Sequence, residues 1–163
     1  SVSRGLGDVY KRQDDDDKEK RMTLQQWLFS IKGRIGRRDF WIWIAIWLVT
    51  MSALFTLAGS NLLNLQTAAF IIVCLLWPTA AVVVKRLHDR GKSGLWALLM
   101  VLAWMLLAGN WSVLPGVWQW VVGRFVPTLI IVMMLIDLGA FVGTQGENKF
   151  GKETQDVRWK ADA

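Results

Sequence analysis

Cysteine and histidine are nearly absent from this sequence, since Cys74 and His88 are the only residues of their kinds among 163. One cysteine excludes a disulfide within a single copy of the chain, and Cys74, inside an apolar run, is expected to be a packing residue. One histidine excludes a metal site built from several histidines, because such a site needs three or four converging ligands. We therefore expect no metal and no other cofactor.

Charged residues are also missing from long stretches of the chain. The 45 consecutive residues 40–84 contain no Asp, Glu, Lys, Arg or His, and a second such run extends from Ser93 to Gly123. A soluble domain of this size carries more charge and far fewer than the 11 tryptophans present. These runs exclude a disordered protein, a soluble enzyme fold and a DNA-binding domain, so no nucleic-acid partner is expected. The chain is predicted to be a multi-pass membrane protein.

The apolar runs divide into segments of membrane-spanning length. A crossing helix needs about 20 apolar residues, because each adds about 1.5 Å and the hydrocarbon is about 30 Å thick. Four segments come close to this length: 40–58, 67–84, 95–113 and 125–142. Each must be helical, because an open strand would leave backbone groups unpaired in lipid. We predict an all-α membrane protein, a four-helix transmembrane bundle, within a membrane domain at residues 22–151 that is followed by a polar tail at 152–163.

Three details refine this prediction. Residues 110–123 combine three tryptophans with polar residues, a mixture typical of the headgroup region, so we predict an interfacial segment there, with a re-entrant segment as the alternative. Pro78 lies inside the second span and is expected to kink it. Gly139 and Gly143 are small residues four positions apart, and this small-xxx-small step would let a neighbouring helix approach closely.

Residues 1–21 differ from the rest and are predicted to be a leader outside the fold, either non-native or disordered. Residues 3–13 look like an in-frame translation of a sequencing adaptor. Residues 14–18 resemble an enterokinase site, with a chance acidic run as the alternative. Such segments are set aside in fold reasoning. Met22 is then the expected start of the native chain.

Lysine and arginine lie almost entirely on one side of the predicted spans. Twelve of them flank the spans on that side: Lys32, Arg34, Arg37, Arg38, Lys85, Arg86, Arg90, Lys92, Lys149, Lys152, Arg158 and Lys160. The other side has Arg124 alone. Because the side richer in these residues faces the cytoplasm, both termini are predicted to be cytoplasmic. The basic residues should form one patch, which anionic headgroups attract by about 1 kcal/mol per residue near the surface.

Three motifs in a fixed order are similar to those of a known family. They are residues 32–41 (KGRIGRRDFW), preceded by Phe29, then residues 86–96 (RLHDRGKSGLW) and residues 143–151 (GTQGENKFG). Over residues 24–152 the chain resembles the domain-of-unknown-function family 805, the YhaH-like group of small bacterial inner-membrane proteins. The resemblance implies a fold and a location in the bacterial inner membrane, and it implies no activity.

The motifs also define a candidate site. Arg34, Arg37 and Arg38 are spaced so that a helical turn would place their guanidinium groups on one side, where they can bind phosphate. A clamp for phospholipid or an acidic partner is one interpretation, and an anchor that fixes the depth of the helix is the other. The full candidate patch is Lys32, Gly33, Arg34, Arg37, Arg38, Arg86, His88, Asp89, Gly91, Lys92, Ser93, Gly94, Asn148, Lys149 and Gly151.

His88 and Asp89 could suggest catalysis, but neighbouring residues cannot easily bind one ion together, and no catalytic residue is predicted. We expect Asp89 to cap the approach to the third span or to pair with Arg37 or Arg86. Residues 91–93 imitate the end of a phosphate-binding loop, yet the upstream glycine and the preceding strand that such a loop requires are absent from the sequence pattern.

Asp137 lies inside the predicted fourth span, six residues before Gly143 and therefore roughly 9 Å below the end of that helix. An unpaired carboxylate there would cost about 2.5–3.5 kcal/mol. We expect a partner among Arg34, Lys85 and Arg86. A structural ion pair between helices and a role in handling protons or ions are both open.

Two functions follow from these features. The prediction is a non-enzymatic module that binds anionic lipid, or a partner protein, through its basic cytoplasmic patch. The alternative is a small transporter or channel subunit that uses Asp137. An enzyme using His88 and Asp89 has the least support. The expected partners are the phospholipid bilayer and, as an option, a second copy of the chain or another membrane protein.

Overall fold

The computed structural model describes residues 2–157, with the side chains of residue 2 and residues 13–20 left aside. Its helices are α1 (Val2–Lys20), α2 (Leu24–Phe29), α3 (Arg37–Gly59), α4 (Leu65–Asp89), α5 (Leu98–Ala108), α6 (Gly116–Trp120) and α7 (Val126–Gly139). A 3₁₀ turn, Gly94–Ala97, leads into α5, and a π-helical turn, Val121–Phe125, joins α6 to α7. The predicted all-α class is confirmed for the described part of the chain.

Three of the helical segments are long and apolar enough to cross a membrane. They are Arg37–Gly59, Leu65–Asp89 and the continuous stretch Gly116–Gly139. Only 17–28% of the residues in their apolar windows are buried within the chain, so most side chains there point outward. Water would penalise so much exposed apolar surface, whereas lipid accepts it. The chain is therefore a membrane protein.

The third predicted span is shorter than expected. The helix there is Gly94–Ala108, which at 15 residues is about 22 Å long, so the predicted end at residue 113 is wrong. Gly109 ends it by adopting an extended conformation (φ −72°, ψ 156°). The next residues fold back, because the indole of Trp111 donates a hydrogen bond to the carbonyl of Leu106 at 2.8 Å. A glycine followed by a polar residue is enough to stop this helix.

The interfacial segment predicted for residues 110–123 is also wrong, because helix resumes at Gly116 and continues into the last span. The π-helical turn within it has a local cause. Pro127 has no N–H group, and its ring would clash with the carbonyl four residues earlier in a regular helix. One wider turn before the proline relieves this clash. The predicted span 125–142 is therefore the last part of a longer helix, and it ends at Gly139.

The bundle has one charged end, which we define as the end where α3 begins and where α4 and α7 terminate. Within the bundle α3 packs against α4 and α7, α2 packs against α4, and α5 packs against α7. Gly139 allows close approach as predicted, because the Trp41 indole lies on it and donates to its carbonyl at 2.8 Å. Gly143, the other residue of that step, lies beyond the end of α7.

After α7, residues 140–157 fold back across the charged end, and we call them the closing segment. Gln155 N donates to the Arg34 carbonyl at 2.9 Å, and Met22 N donates to the Asp156 carbonyl at 2.8 Å. Residues 155–157 of the predicted polar tail are thus paired with the residues that precede α3. Residues 158–163 lie outside the described residues, and with them the predicted basic residues Arg158 and Lys160.

The predicted leader is a helix, α1, rather than a disordered segment. Arg4, Asp8 and Arg12 follow one another at four-residue intervals, a spacing that supports a helix through ion pairs along one face. The side chains of residues 3–12 are all exposed. Residues 3–12 therefore add nothing to the core of the bundle, and the non-native origin of the leader stays a prediction.

Candidate functional site at the charged end

The three sequence motifs meet at the charged end of the bundle. Arg34 from the first motif donates through Nε to Asp89 Oδ1 of the second at 3.1 Å. Its Nη1 donates to the carbonyl of Gly146 in the third motif at 2.6 Å. The predicted convergence of the motifs is therefore confirmed, and its cause is the shared end of α3, α4 and α7.

Arg34 is completely buried, and its guanidinium group forms hydrogen bonds with other residues of the chain. Besides Asp89 and Gly146, its Nη groups donate to the carbonyls of Gly151, at 3.3 Å, and Thr144. Gly33 turns the chain into this position with φ 102°, a conformation that side-chain-bearing residues rarely adopt. The arginine thus joins the start of α3 to the closing segment.

Arg86 is equally buried, near the end of α4. Its Nε donates to the carbonyl of Leu138 at 2.6 Å and its Nη2 to that of Phe141 at 2.7 Å. These carbonyls belong to the last turn of α7 and the residues after it, where a helix leaves acceptors unpaired and favours a cation. Arg86 Nη1 also pairs with Asp89 Oδ2. The predicted pairing of Asp89 with Arg86 is confirmed, and Arg34 is its second partner.

We call Arg34, Arg86 and Asp89 the buried charge network. The network corrects the predicted clamp of Arg34, Arg37 and Arg38 at one member, because Arg34 is not exposed at all. A guanidinium has five N–H donors in a fixed fork, and the closing segment and the end of α7 supply backbone carbonyls that match it. Backbone acceptors leave no trace in a sequence motif. These two arginines therefore hold the fold together.

Two threonines of the closing segment complete this network, and neither was in the predicted patch, although Thr144 lies within the third motif. Thr144 N donates to the Asp89 carbonyl at 2.6 Å, and the Thr154 hydroxyl donates to Asp89 Oδ1. Gly143 packs so closely on the Asp89 carboxylate that a Cβ there would overlap it. Gly151 approaches Arg34 in the same way, since a Cβ would lie 3.2 Å from its Cδ. The glycines of the third motif were the sequence feature from which this close packing could have been predicted.

Asp137 is paired, but with other partners than those predicted. Arg90 Nη2 donates to its Oδ1 at 3.0 Å and Lys92 Nζ to its Oδ2 at 2.8 Å. Gly91, at φ 75°, reverses the chain just after α4 and places both cations over the end of α7. Arg34, Lys85 and Arg86, the predicted partners, are bound elsewhere.

The remaining patch residues of the second and third motifs pack locally. The His88 ring stacks on Phe150, with centroids 4.2 Å apart and planes 4° from parallel. Asn148 Nδ2 donates to the His88 carbonyl at 2.9 Å. Ser93 accepts a hydrogen bond from Leu95 N at 3.3 Å at the start of the 3₁₀ turn. Gly94 lies against Val84, since a Cβ would be 3.1 Å from that side chain.

Four cations of the predicted patch remain exposed: Lys32, Arg37, Arg38 and Lys149. Arg37 begins α3, and its Nη1 donates to the Ala140 carbonyl at 3.1 Å. Beside it lies a cleft of about 290 Å³ between the start of α3 and the closing segment. The cleft is lined by Gly36, Arg37, Arg86, Asp89, Thr154 and residues 142–146. Among the described residues, no three His, Cys, Asp or Glu side chains gather as metal ligands.

Comparison with known proteins agrees with the motifs. The family described as Protein of unknown function (DUF805) matches residues 28–152 of the chain. The chain belongs to this family. Within the DUF805 family it is similar to the Uncharacterized protein YiiR of Escherichia coli, found in two strains. Each relative is 79% identical over 141 residues, which cover 86% of this chain and 97% of the relative. No solved structure matches the chain significantly. The predicted family resemblance is confirmed.

Proposed function

We propose that this protein is a non-enzymatic, four-pass module of the bacterial inner membrane that binds anionic phospholipid headgroups at a cytoplasmic charged end. The observation that carries the proposal is the division of the basic residues into two groups. Arg34 and Arg86 are buried and satisfied by the chain, whereas Arg37, Arg38 and Lys149 are exposed, and Arg37 lines the cleft.

The path of the chain supports four passes and the orientation. After α4 ends, α5 leads away from the charged end, and the stretch Gly116–Gly139 leads back to it. Arg124, the one basic residue predicted on the other side, lies 15 residues before Gly139, or about 22 Å along the helix. Basic residues gather at one end of the bundle, and the side richer in Lys and Arg faces the cytoplasm. On this rule the charged end is cytoplasmic, and both termini lie on the same side.

The start of α3 supports binding of an anion. Gly36 provides no side-chain cap there, and the first N–H groups of any helix lack partners within the helix. Both the helix dipole and the exposed guanidinium of Arg37 favour a negatively charged group at this position. Phosphodiester headgroups of the surrounding leaflet are anions at the same level as these cations.

The alternative functions have less support. Asp137, the residue on which a transporter or channel would rely, has two cationic partners, which favours a structural role. His88 stacks on Phe150, and Asp89 is held by two arginines, which favours structural roles for this pair as well.

The proposal is tested by measuring how much lipid the protein retains in a mild detergent. We would replace Arg37, Arg38 and Lys149 by glutamine and use native mass spectrometry to count the phosphatidylglycerol molecules that stay bound. At about 1 kcal/mol per cation, each replacement weakens binding about fivefold and all three weaken it roughly 100-fold. The retained phosphatidylglycerol should therefore disappear in the triple variant.

Arg124→Gln is the matched control, because it removes an exposed cation far from the charged end. It should retain as much phosphatidylglycerol as the unchanged protein. Equal retention in the triple variant would refute headgroup binding at this site. Loss of a co-purifying protein in the triple variant, with unchanged lipid, would indicate a protein partner in its place.

A further inference from the structure

Residues 22–35 leave the charged end, extend along the bundle and return to the charged end. At the start of this stretch, Met22 is bridged to Val157 of the closing segment. At its end, Arg34 contacts Asp89 and Ile35 is bridged to Gln155. Both ends thus lie at the charged end, and α2 lies between them, packed along α4.

The part of this stretch farthest from the charged end lies deeper along α4 than the charged residues do. The Trp77 indole donates a hydrogen bond to the Phe29 carbonyl at 2.9 Å. Trp77 precedes Asp89 by 12 residues, which is about 18 Å along α4. The uncharged part of α4 begins at Leu65 and ends at Val84, so Trp77 lies about 10 Å inside it. Phe29 is consequently at the depth of acyl chains.

Non-helical backbone at such a depth needs internal hydrogen bonds, because lipid offers none. α2 has only 6 residues, and the carbonyls at the end of a helix have no partners within it. Ser30 N donates to the Gln26 carbonyl at 3.0 Å, and Lys85 supplies the donors for the others and a second one for Gln26. Its Nζ donates to the carbonyls of Gln26, at 3.0 Å, of Trp27, and of Ser30, at 2.6 Å. This explains why a lysine is completely buried near the end of a spanning helix.

The outward side of the stretch is apolar at its tip, while Gln25, Gln26 and Lys32 on either side of the tip are exposed polar residues. Leu24, Phe29 and Ile31 are 42%, 54% and 46% exposed, respectively. Trp77 of α4, beside them, is 55% exposed. This surface continues directly into the outward apolar face of α4, where Val73 is 62% exposed. Lipid is the medium that covers α4 at this height, and it therefore also covers the apolar tip of the stretch.

We infer that residues 22–35 form a re-entrant hairpin whose tip, Phe29–Ile31, is inserted among the acyl chains of the leaflet at the charged end. Lys85 and Trp77 satisfy the backbone of the tip, while the apolar side chains contact lipid. The hairpin would anchor the first motif at a fixed depth. This inference does not rest on headgroup binding, since it concerns apolar contacts below the headgroups.

Spin labels in liposomes measure this depth. The exposed Cys74 is first replaced by serine, and single labels are then placed with Phe29→Cys and Ile31→Cys. Val73→Cys serves as the lipid-facing reference and Glu153→Cys, at an exposed position of the closing segment, as the aqueous one. Labels at 29 and 31 should show the pattern of Val73→Cys, with high accessibility to oxygen and several-fold lower accessibility to a water-soluble nickel complex than Glu153→Cys. Accessibility to nickel closer to that of Glu153→Cys would overturn the inference.

The role of Lys85 is tested in the same labelled protein. Lys85→Met removes all three donors, whereas Lys85→Arg keeps a cation with several N–H groups. Lys85→Met should raise the nickel accessibility of the label at position 29 several-fold, and Lys85→Arg should leave it close to its original value. Unchanged accessibility in Lys85→Met would exclude Lys85 as the group that holds the tip in place. The depth measurement with Lys85 intact stands on its own if Lys85→Met does not fold.

Discussion

Replacing Asp89 by asparagine removes the one negative charge of the buried charge network while keeping nearly the same shape. Arg34 and Arg86 would remain at 0% exposure with two positive charges and no counter-charge. Their guanidinium groups make four hydrogen bonds each, eight in all, and two of the eight go to Asp89. Six hydrogen bonds to carbonyls therefore survive, and the main loss is electrostatic.

The size of this loss can be bounded in two ways. Two unit charges about 4 Å apart interact by about 4 kcal/mol at an effective dielectric constant of about 20. Removing one partner of a buried ion pair costs about 3–5 kcal/mol in measured cases. We therefore expect Asp89→Asn to lower the free energy of unfolding by about 3–5 kcal/mol, a large part of the stability of a domain of this size.

The assay is reversible unfolding in mixed micelles with increasing denaturing detergent, followed by tryptophan fluorescence. Asp156→Asn is the control, because Asp156 is 73% exposed and its nearest cation, Arg38, is 4.0 Å away and 63% exposed. An exposed pair of this kind contributes little, so the control should unfold like the original protein. If Asp89→Asn also unfolds at the original detergent fraction, the argument that Asp89 balances two buried arginines fails.

Two further predictions concern packing and topology. Gly139→Val should destabilise the bundle by about 1–3 kcal/mol in the same assay, because its side chain would overlap the Trp41 ring. Gly59→Ala, with nothing within 4 Å of the added Cβ, should have no comparable effect, and equal effects of the two would contradict the close contact. Reporter enzymes fused after Gly59 and after Gly91 should report opposite sides of the membrane, and a shared side would contradict the proposed orientation.

The sequence was sufficient for the parts of the fold that depend on composition. Uncharged runs predict α3 and α4, because lipid selects for apolar length alone. The three motifs predict a shared end, because basic residues collect on one side of a membrane. The glycine step predicts close packing at Gly139, where the Trp41 indole does lie.

Other features depend on which backbone groups meet, and composition does not encode them. Arg34 and Lys85 are basic like their exposed neighbours, yet each is buried because carbonyls distant in sequence surround it. The partners of Asp137 were missed for a related reason. The reversal at Gly91 brings Lys92 back over α7, and residue spacing alone does not show that turn.

The closing segment is made after all the described helices, and this has a consequence for how the protein is assembled. The ribosome delivers α3 and α4 to the membrane well before it makes residues 144–154. Until then, Arg34 lacks the carbonyls of Thr144, Gly146 and Gly151. Water must occupy these places during biosynthesis. A chain interrupted before Thr144 would carry every described apolar helix and still leave the Arg34 guanidinium group uncovered, a mark by which membrane quality control can recognise it as unfinished.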